Sequence, residues 1–233
     1  MVTTKRAPDF NRNLYEKEAW GSSELVCGID EVGRSCLSGP VVAAAVILRP
    51  KARHKLLKDS KIMTAQEREE AYRWLMKNCS FGVGVVHHRL IDSHNIYQAT
   101  LIAMKRAFMQ MLAVSVRQPS IILVDAMPVK MDHLAIPIVH FPFGERQSVS
   151  IAAASIVAKV TRDALMSRLD GVMPGYSYSQ NKGYGTKAHK DGIKQHGLTL
   201  MHRMSFSPNR LIAQDEAASL LPNSFGSDSQ LSW

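Results

Sequence analysis

The sequence predicts an α/β layered domain with a mixed sheet, and three observations carry that prediction. Short β-branched segments alternate with longer amphipathic ones, which is the pattern of strands flanked by helices. The first two strand-like segments follow one another closely enough to start as a hairpin-like pair, which makes the sheet mixed rather than purely parallel. Apolar residues make up 45% and charged residues 21% of the 233, ordinary globular usage for a chain able to bury a sizeable core. One domain of about 200 residues with ragged ends is the simplest arrangement, with two small domains as the alternative.

The elements follow in order. Leu25 to Asp30 (LVCGID) and Val41 to Leu48 (VVAAAVIL) read as strands, the second apolar throughout and therefore buried. A helix starts at TAQEREEAYRWLMKN, where Thr64 and Glu67 have capping-box spacing. Phe81 to His87 (FGVGVVH) is a third strand. The next helix, NIYQATLIAMKRAFMQML, gathers Leu101, Met104, Phe108 and Met111 on one apolar face. Ile121 to Asp125 (IILVD) and the weaker Ile136 to Phe141 (IPIVHF) are further strands. SIAAASIVAKVTRDALMSRL reads as a helix capped by Ser150, whose alanine face permits close approach to a sheet. Thr186 to Gly197 reads as a short helix with a glycine stop. The Ser-, Asn- and Gly-rich end, residues 214–233, reads as a flexible tail.

Charge narrows the partner. Lys plus Arg outnumber Asp plus Glu by 29 to 20, a net +9 that fits a polyanionic partner or simple solubility. The longest apolar run is too short to span a bilayer, and the N-terminus has no apolar core of a signal peptide. Cys27, Cys36 and Cys79 are odd in number and form no CxxC pair, so reduced thiols in a cytoplasmic protein are expected.

Against this basic background, GIDEVGRSCLSGP sets two adjacent acids, Asp30 and Glu31, beside an arginine in a loop of small residues. Neighbouring side chains on a strand point to opposite faces, so the two share a site only where the strand ends or twists. Asp125 closes a second strand, and acids at strand ends in α/β sheets gather at one rim. If the strands are neighbours, the carboxylates converge, an arrangement costly for structure and natural for a divalent cation. A bare Asp-Glu pair is otherwise a turn residue or a solvated charge.

The longer pattern adds to this. GIDEVGRSCLSGPVVAAAVIL followed by DSKIMT, NIYQATLIAMKRA, LVDA, SIAAASIVAKVTRD and NKGYGTKAH resembles ribonuclease HII, the type 2 ribonuclease H family, in order and spacing over about residues 10 to 210. The resemblance implies a ribonuclease H-like fold, a central mixed β-sheet flanked by helices with a helical C-terminal extension. It divides the chain into an N-terminal segment (1–20), a catalytic domain (21–213) and the tail. It implies an endonuclease that cuts the RNA strand of RNA–DNA hybrids and nicks DNA 5′ of an embedded ribonucleotide.

Carried onto this chain, the family's metal-binding acids fall on Asp30, Glu31 and Asp125. The fourth acid falls on Glu145, a glutamate where the family usually has aspartate, which lengthens its reach by one methylene. Two Mg²⁺ or Mn²⁺ ions about 3.5 to 4 Å apart would clamp the scissile phosphate and leave 5′-phosphate and 3′-hydroxyl ends. The family's Gly-Arg-Gly turn, which senses the 2′-hydroxyl, is matched by Gly33, Arg34 and Ser35. Serine in place of glycine costs little only if φ there is negative. Tyr184 matches a tyrosine that packs on the neighbouring deoxyribose. Ser60 and Lys61, with Lys182 and Lys187, match phosphate contacts.

Other residues stay open. Arg146 pairs with Glu145 or with a phosphate, and His202 touches substrate or only packs. His87, His88 and His94 lack helical ligand spacing and are set aside as a metal cluster. The related ribonuclease HIII is disfavoured because 29 residues precede Asp30 where that group carries a further substrate-binding domain. A hybrid-binding module that has lost catalysis is the alternative from another class. Expected partners are RNA–DNA hybrid and ribonucleotide-containing duplex DNA, with no membrane, bound by a monomer.

Overall fold

The structure is a computed structural model that describes residues 13–58, 60–131 and 134–220. In chain order it comprises α1 (Leu14–Gly21), β1 (Val26–Val32), β2 (Val41–Leu48), α2 (Ala65–Asn78), β3 (Cys79–Val86), α3 (His88–His94), α4 (Ile96–Val114), β4 (Ile121–Asp125) and β5 (Ile138–Phe141). There follow α5 (Gly144–Gln147), α6 (Val149–Val172), α7 (Tyr178–Asn181), α8 (Lys187–His196) and α9 (Asn209–Leu220).

The strands form one sheet in the order β3-β2-β1-β4-β5. The β3-β2-β1 side is antiparallel, whereas β1, β4 and β5 run parallel, so the sheet is mixed as the alternation predicts. β2 is buried along its whole length because both its faces are covered. On one face Ala43, Ala45 and Ile47 pack with Ala103, Ala107, Phe108 and Met111 of α4. On the other, Ala44, Val46 and Leu48 meet Ala71 and Leu75 of α2 and Ala153, Ala154 and Val157 of α6. Small residues decide how near α6 can come: a Cβ on Gly28 of β1 would collide with the Ser150 backbone.

Local signals and tertiary context divide the elements between them. The capping box at Thr64 and Glu67 is formed, and Thr186 and Gly197 bracket α8 as expected. The cap of α6 is Ser148 rather than Ser150. Ser148 is extended and its Oγ accepts from the Ile151 amide at 3.1 Å, whereas the Ser150 amide already donates to Glu16. β1 also continues past both acids to Val32.

The ends differ as well. Within the segment set apart as 1–20, α1 is docked onto the start of α6: Asn13 Oδ1 accepts from the Val149 amide, and the fully buried Glu16 accepts from Ser148 and Ser150. Where the flexible tail is expected from 214, α9 continues to Leu220. Residues 1–12 and 221–233 of those two segments lie outside the described residues.

Candidate active site

The register of two strands assembles the acids. β1 and β4 are parallel neighbours, paired as far as Ile29 opposite Val124, so Asp30 and Asp125 come one residue later on each strand, at the same rim. Asp125 Oδ1 accepts from the Gly144 amide at 2.7 Å, which ties the start of α5, and with it Glu145, to the end of β4. Glu31 follows Asp30 on β1, and its amide donates to Asp30 Oδ1 at 2.7 Å. Asp30, Glu31 and Asp125 therefore share one rim, Glu145 directly follows the residue that bonds Asp125, and Asp30 and Glu145 are only 5% and 3% exposed.

Burial and mutual repulsion dominate the electrostatics. Burial, reinforced by the Glu31 and Asp125 charges, pushes the Asp30 carboxyl well above the ordinary aspartate range. Burial also raises Glu31, against the pull of Arg34 and Lys61 and with the push of Asp125. Arg34 sits 3.6 Å from Glu31 Oε1. Among the described residues, no group of three or more His, Cys, Asp or Glu is gathered tightly enough to enclose an ion. Three of the acids are turned instead to a neighbour: Asp30 to the Glu31 amide, Asp125 to the Gly144 amide, Glu31 to Arg34. The donor set still fits a hard divalent cation, because all donors are carboxylate oxygens whose repulsion a cation relieves. Glu31 Oε2, moreover, is buried without a hydrogen-bond partner.

The turn after the acids resolves the question at Ser35. Positive φ falls on Gly33, at 94°, while Ser35 is not among the residues with positive φ and its side chain is exposed. Serine is thus compatible with the loop. Gly33 is not replaceable in the same way, since a Cβ there would also strike the Arg162 guanidinium beneath it.

Beside Glu31 lies a cavity of about 320 Å³ lined by Ser60, Lys61, Arg68, Ser155, Lys159 and Tyr184. Ser60 Oγ bonds Ser155 Oγ at 2.7 Å, which fixes the short Ser60–Ile62 turn against α6. The Tyr184 ring lies under Lys159 Nζ at 5.7 Å, and its hydroxyl interacts with the Cys36 thiol. The cavity thus joins Lys61 and Tyr184 to the acid rim.

Other candidates are placed elsewhere. Lys182 Nζ donates to Ser167 and Ser179, and Lys187 pairs with Asp191 on the open face of α8. The Arg146 guanidinium lies 5.3 Å from the centre of the Phe143 ring. His202 is fully buried, so it packs. His87, His88 and His94 lie at α3, away from these acids in sequence, and His94 Nδ1 bonds Ser93.

Sequence reasoning missed two residues. Arg162 and Arg203 are fully buried, and together they take six backbone carbonyls of the 33–40 loop and Lys182. Both stood within quoted or nearby motifs, VTRD and HRMSF, but an arginine in a sequence reads as a surface cation.

Comparison with known proteins gives the family and the fold. The family model described as Ribonuclease HII matches residues 27–209. A Ribonuclease HII from Lacticaseibacillus paracasei is 48% identical over 200 residues, covering 85% of this chain and 76% of the relative. Among solved structures, ribonuclease H2 from Pyrococcus horikoshii OT3 superposes with a TM-score of 0.66 at 23% identity, over 82% of this chain and 98% of that one. Bst-RNase HIII in complex with Mn²⁺ gives 0.63 at 20% identity, over 92% and 76%. At those identities the two structures show a shared fold.

Proposed function

The chain belongs to the ribonuclease HII family, and from that premise we propose that it is an endonuclease that hydrolyses the RNA strand of RNA–DNA hybrids. On duplex DNA it nicks 5′ of a single embedded ribonucleotide and leaves 5′-phosphate and 3′-hydroxyl ends. The observation that carries this is the β1-β4 register, which sets Asp30 and Asp125 on one rim with Glu31 and Glu145 close by.

Asp30, Glu31 and Asp125 hold the divalent ions, Mn²⁺ or Mg²⁺, and Glu145 completes the acid set from α5. When bound, such ions activate water and stabilise the leaving 3′ oxygen. The chain's other residues bind and orient. The Gly33-Arg34-Ser35 turn meets the 2′-hydroxyl through its backbone, with Ser35 presenting its side chain outward. Lys61, beside Ser60, meets a phosphate at the mouth of the cavity, and Tyr184 packs on the deoxyribose at the junction. No protein nucleophile is needed.

The substrate is nucleic acid, which the net charge of +9 favours without sequence preference. Among the described residues, no helix is long and apolar enough to cross a membrane. A monomer accounts for the site, since all four acids come from one chain, and the free Cys27, Cys36 and Cys79 fit a cytoplasmic protein. The test is cleavage of a duplex bearing one ribonucleotide, with Mn²⁺ or Mg²⁺. A nick at its 5′ side is expected; tight binding with the duplex left uncut under both ions would instead make the protein a hybrid-binding module.

A further inference from the structure

Arg203 and its neighbour His202 lie far from the acids in sequence, yet each grips one of the two elements that would read the sugar. The Arg203 guanidinium has no carboxylate within ion-pair distance among the described residues; peptide carbonyls solvate it instead. Nη2 donates to Gly33 O at 2.6 Å, Nη1 to Arg34 O at 2.9 Å and Nε to Gly39 O at 3.0 Å. Its own amide donates to Leu37 O at 2.9 Å. A planar fork of donors suits this task, and an ammonium cannot span three carbonyls at once.

His202 works through a second imidazole. The Thr199 amide donates to His202 Nδ1 at 2.8 Å, so Nδ1 is an acceptor and the ring proton sits on Nε2. That Nε2–H faces His189 Nε2 at 3.2 Å, which makes His189 the acceptor there and leaves its proton on Nδ1. His189 Nδ1–H then donates to Tyr184 O at 2.9 Å. The chain of bonds from residue 202 ends on the backbone of Tyr184, and that from residue 203 ends on the Gly33-Arg34 turn.

Direct links between those two elements do not do the same job. Leu37 and Ser38 donate to Gly183 O, and Arg162 joins Ser38 O to Lys182 O. Together with the Tyr184 hydroxyl on the Cys36 thiol, these tie residues 36–40 of the loop to the segment carrying Tyr184. The near end, Gly33 and Arg34, is fixed by Arg203.

We propose that the His202-Arg203 step is the positioning element that sets the spacing between the Gly33-Arg34 turn and Tyr184. Through that spacing it sets preference for a ribonucleotide followed by DNA. The inference rests on the reading of the turn as the 2′-hydroxyl contact and Tyr184 as the deoxyribose contact. A continuous hybrid offers ribose at every step, so it tolerates a loosened spacing; a single ribonucleotide offers one correct placement.

The experiment measures kcat and KM for wild type, Arg203→Lys and His202→Gln on two duplexes with Mn²⁺ or Mg²⁺. One duplex carries a single ribonucleotide and the other is a continuous RNA–DNA hybrid. Arg203→Lys is expected to lose about tenfold more kcat/KM on the single ribonucleotide than on the hybrid, and His202→Gln to lose in the same direction. If Arg203→Lys does not fold, His202→Gln carries the test. Met111→Ala is the structural control: Met111 is fully buried in the core between α4 and the sheet, so this variant should lower thermal stability and keep the wild-type ratio. Equal losses on both duplexes, with wild type active, would overturn the inference alone. A wild type inert on both would overturn the functional reading and this inference with it.

Discussion

Two clusters of charge adjoin the 33–40 loop, carboxylates just before its first residues and arginines on its carbonyls, and they are built on opposite terms. On the rim, Asp30, Glu31 and Asp125 repel one another, and burial of Asp30 and Glu31 sharpens the repulsion. Beneath the loop, Arg162 and Arg203 are fully buried, and burial pushes the Arg203 guanidinium down to about 10, yet both have oriented carbonyls accepting from every nitrogen of the guanidinium. Burial costs both clusters, and what separates them is whether dipoles are arranged around the charge to offset that cost. The acid cluster opposes the fold; the arginine cluster shapes the loop.

The largest test of that contrast is Asp30→Asn. Removing the carboxylate should reduce cleavage about 100-fold or more, while duplex binding persists, because a metal donor and not a phosphate contact is lost. In the same variant the thermal midpoint should rise by about 2 to 4 °C, since a buried, repelled charge is gone. A lower midpoint in calorimetry would show that Asp30 supports the fold after all.

Arg162→Met should do the reverse. It deserts the carbonyls of Pro40, Ser38 and Lys182, and denaturant unfolding should register a loss of about 3 to 5 kcal/mol. A loss below about 1 kcal/mol would mean that these carbonyls find other partners.

A smaller effect comes with pH. His202, pushed down to about 4 by burial and by His189, takes up a proton less readily folded than unfolded. Its neighbours in this buried cluster are His189, Tyr176, Tyr178 and Thr199, with His88 also lowering it. The unfolded state therefore binds more protons between the folded value and the ordinary one of about 6.5. Stability is fully present above about pH 6.5 and falls by about 3 kcal/mol as pH drops toward 4. His202→Gln should flatten that slope, and an unchanged slope would assign it to other groups. Smallest of all is Lys187→Ala: its pairing with Asp191 is open to solvent, and the thermal midpoint should move by no more than about one degree.

Much of the fold was legible because the signals were local. VVAAAVIL can only be a strand covered on both sides, and Thr64 with Glu67 marks a helix start wherever the helix packs. IILVD ends on its acid in the structure as in the sequence. The helices α1, α3, α5 and α7 were not legible. α1 mixes charges and has a weak apolar face, and it is held by Glu16 and Asn13 reaching the start of α6. The misplaced cap of α6 has the same origin, because Glu16 makes Ser150 an interior residue.

The candidate site divides along the same line. The acids were legible from residue type, strand-end position and the resemblance, and Ser35 was legible as a departure. Its consequence was not, since the sign of φ at Ser35 is a property of the folded loop. Sequence alone determined which groups carry the chemistry: oxygen donors at two strand ends, a small-residue turn, a tyrosine and scattered cations. Only the tertiary structure decided what holds them. The β1-β4 register joins acids some 95 residues apart, and Arg203 closes on Gly33 across 170 residues of chain. Such contacts depend on backbone carbonyls, which every residue possesses and no side-chain pattern announces.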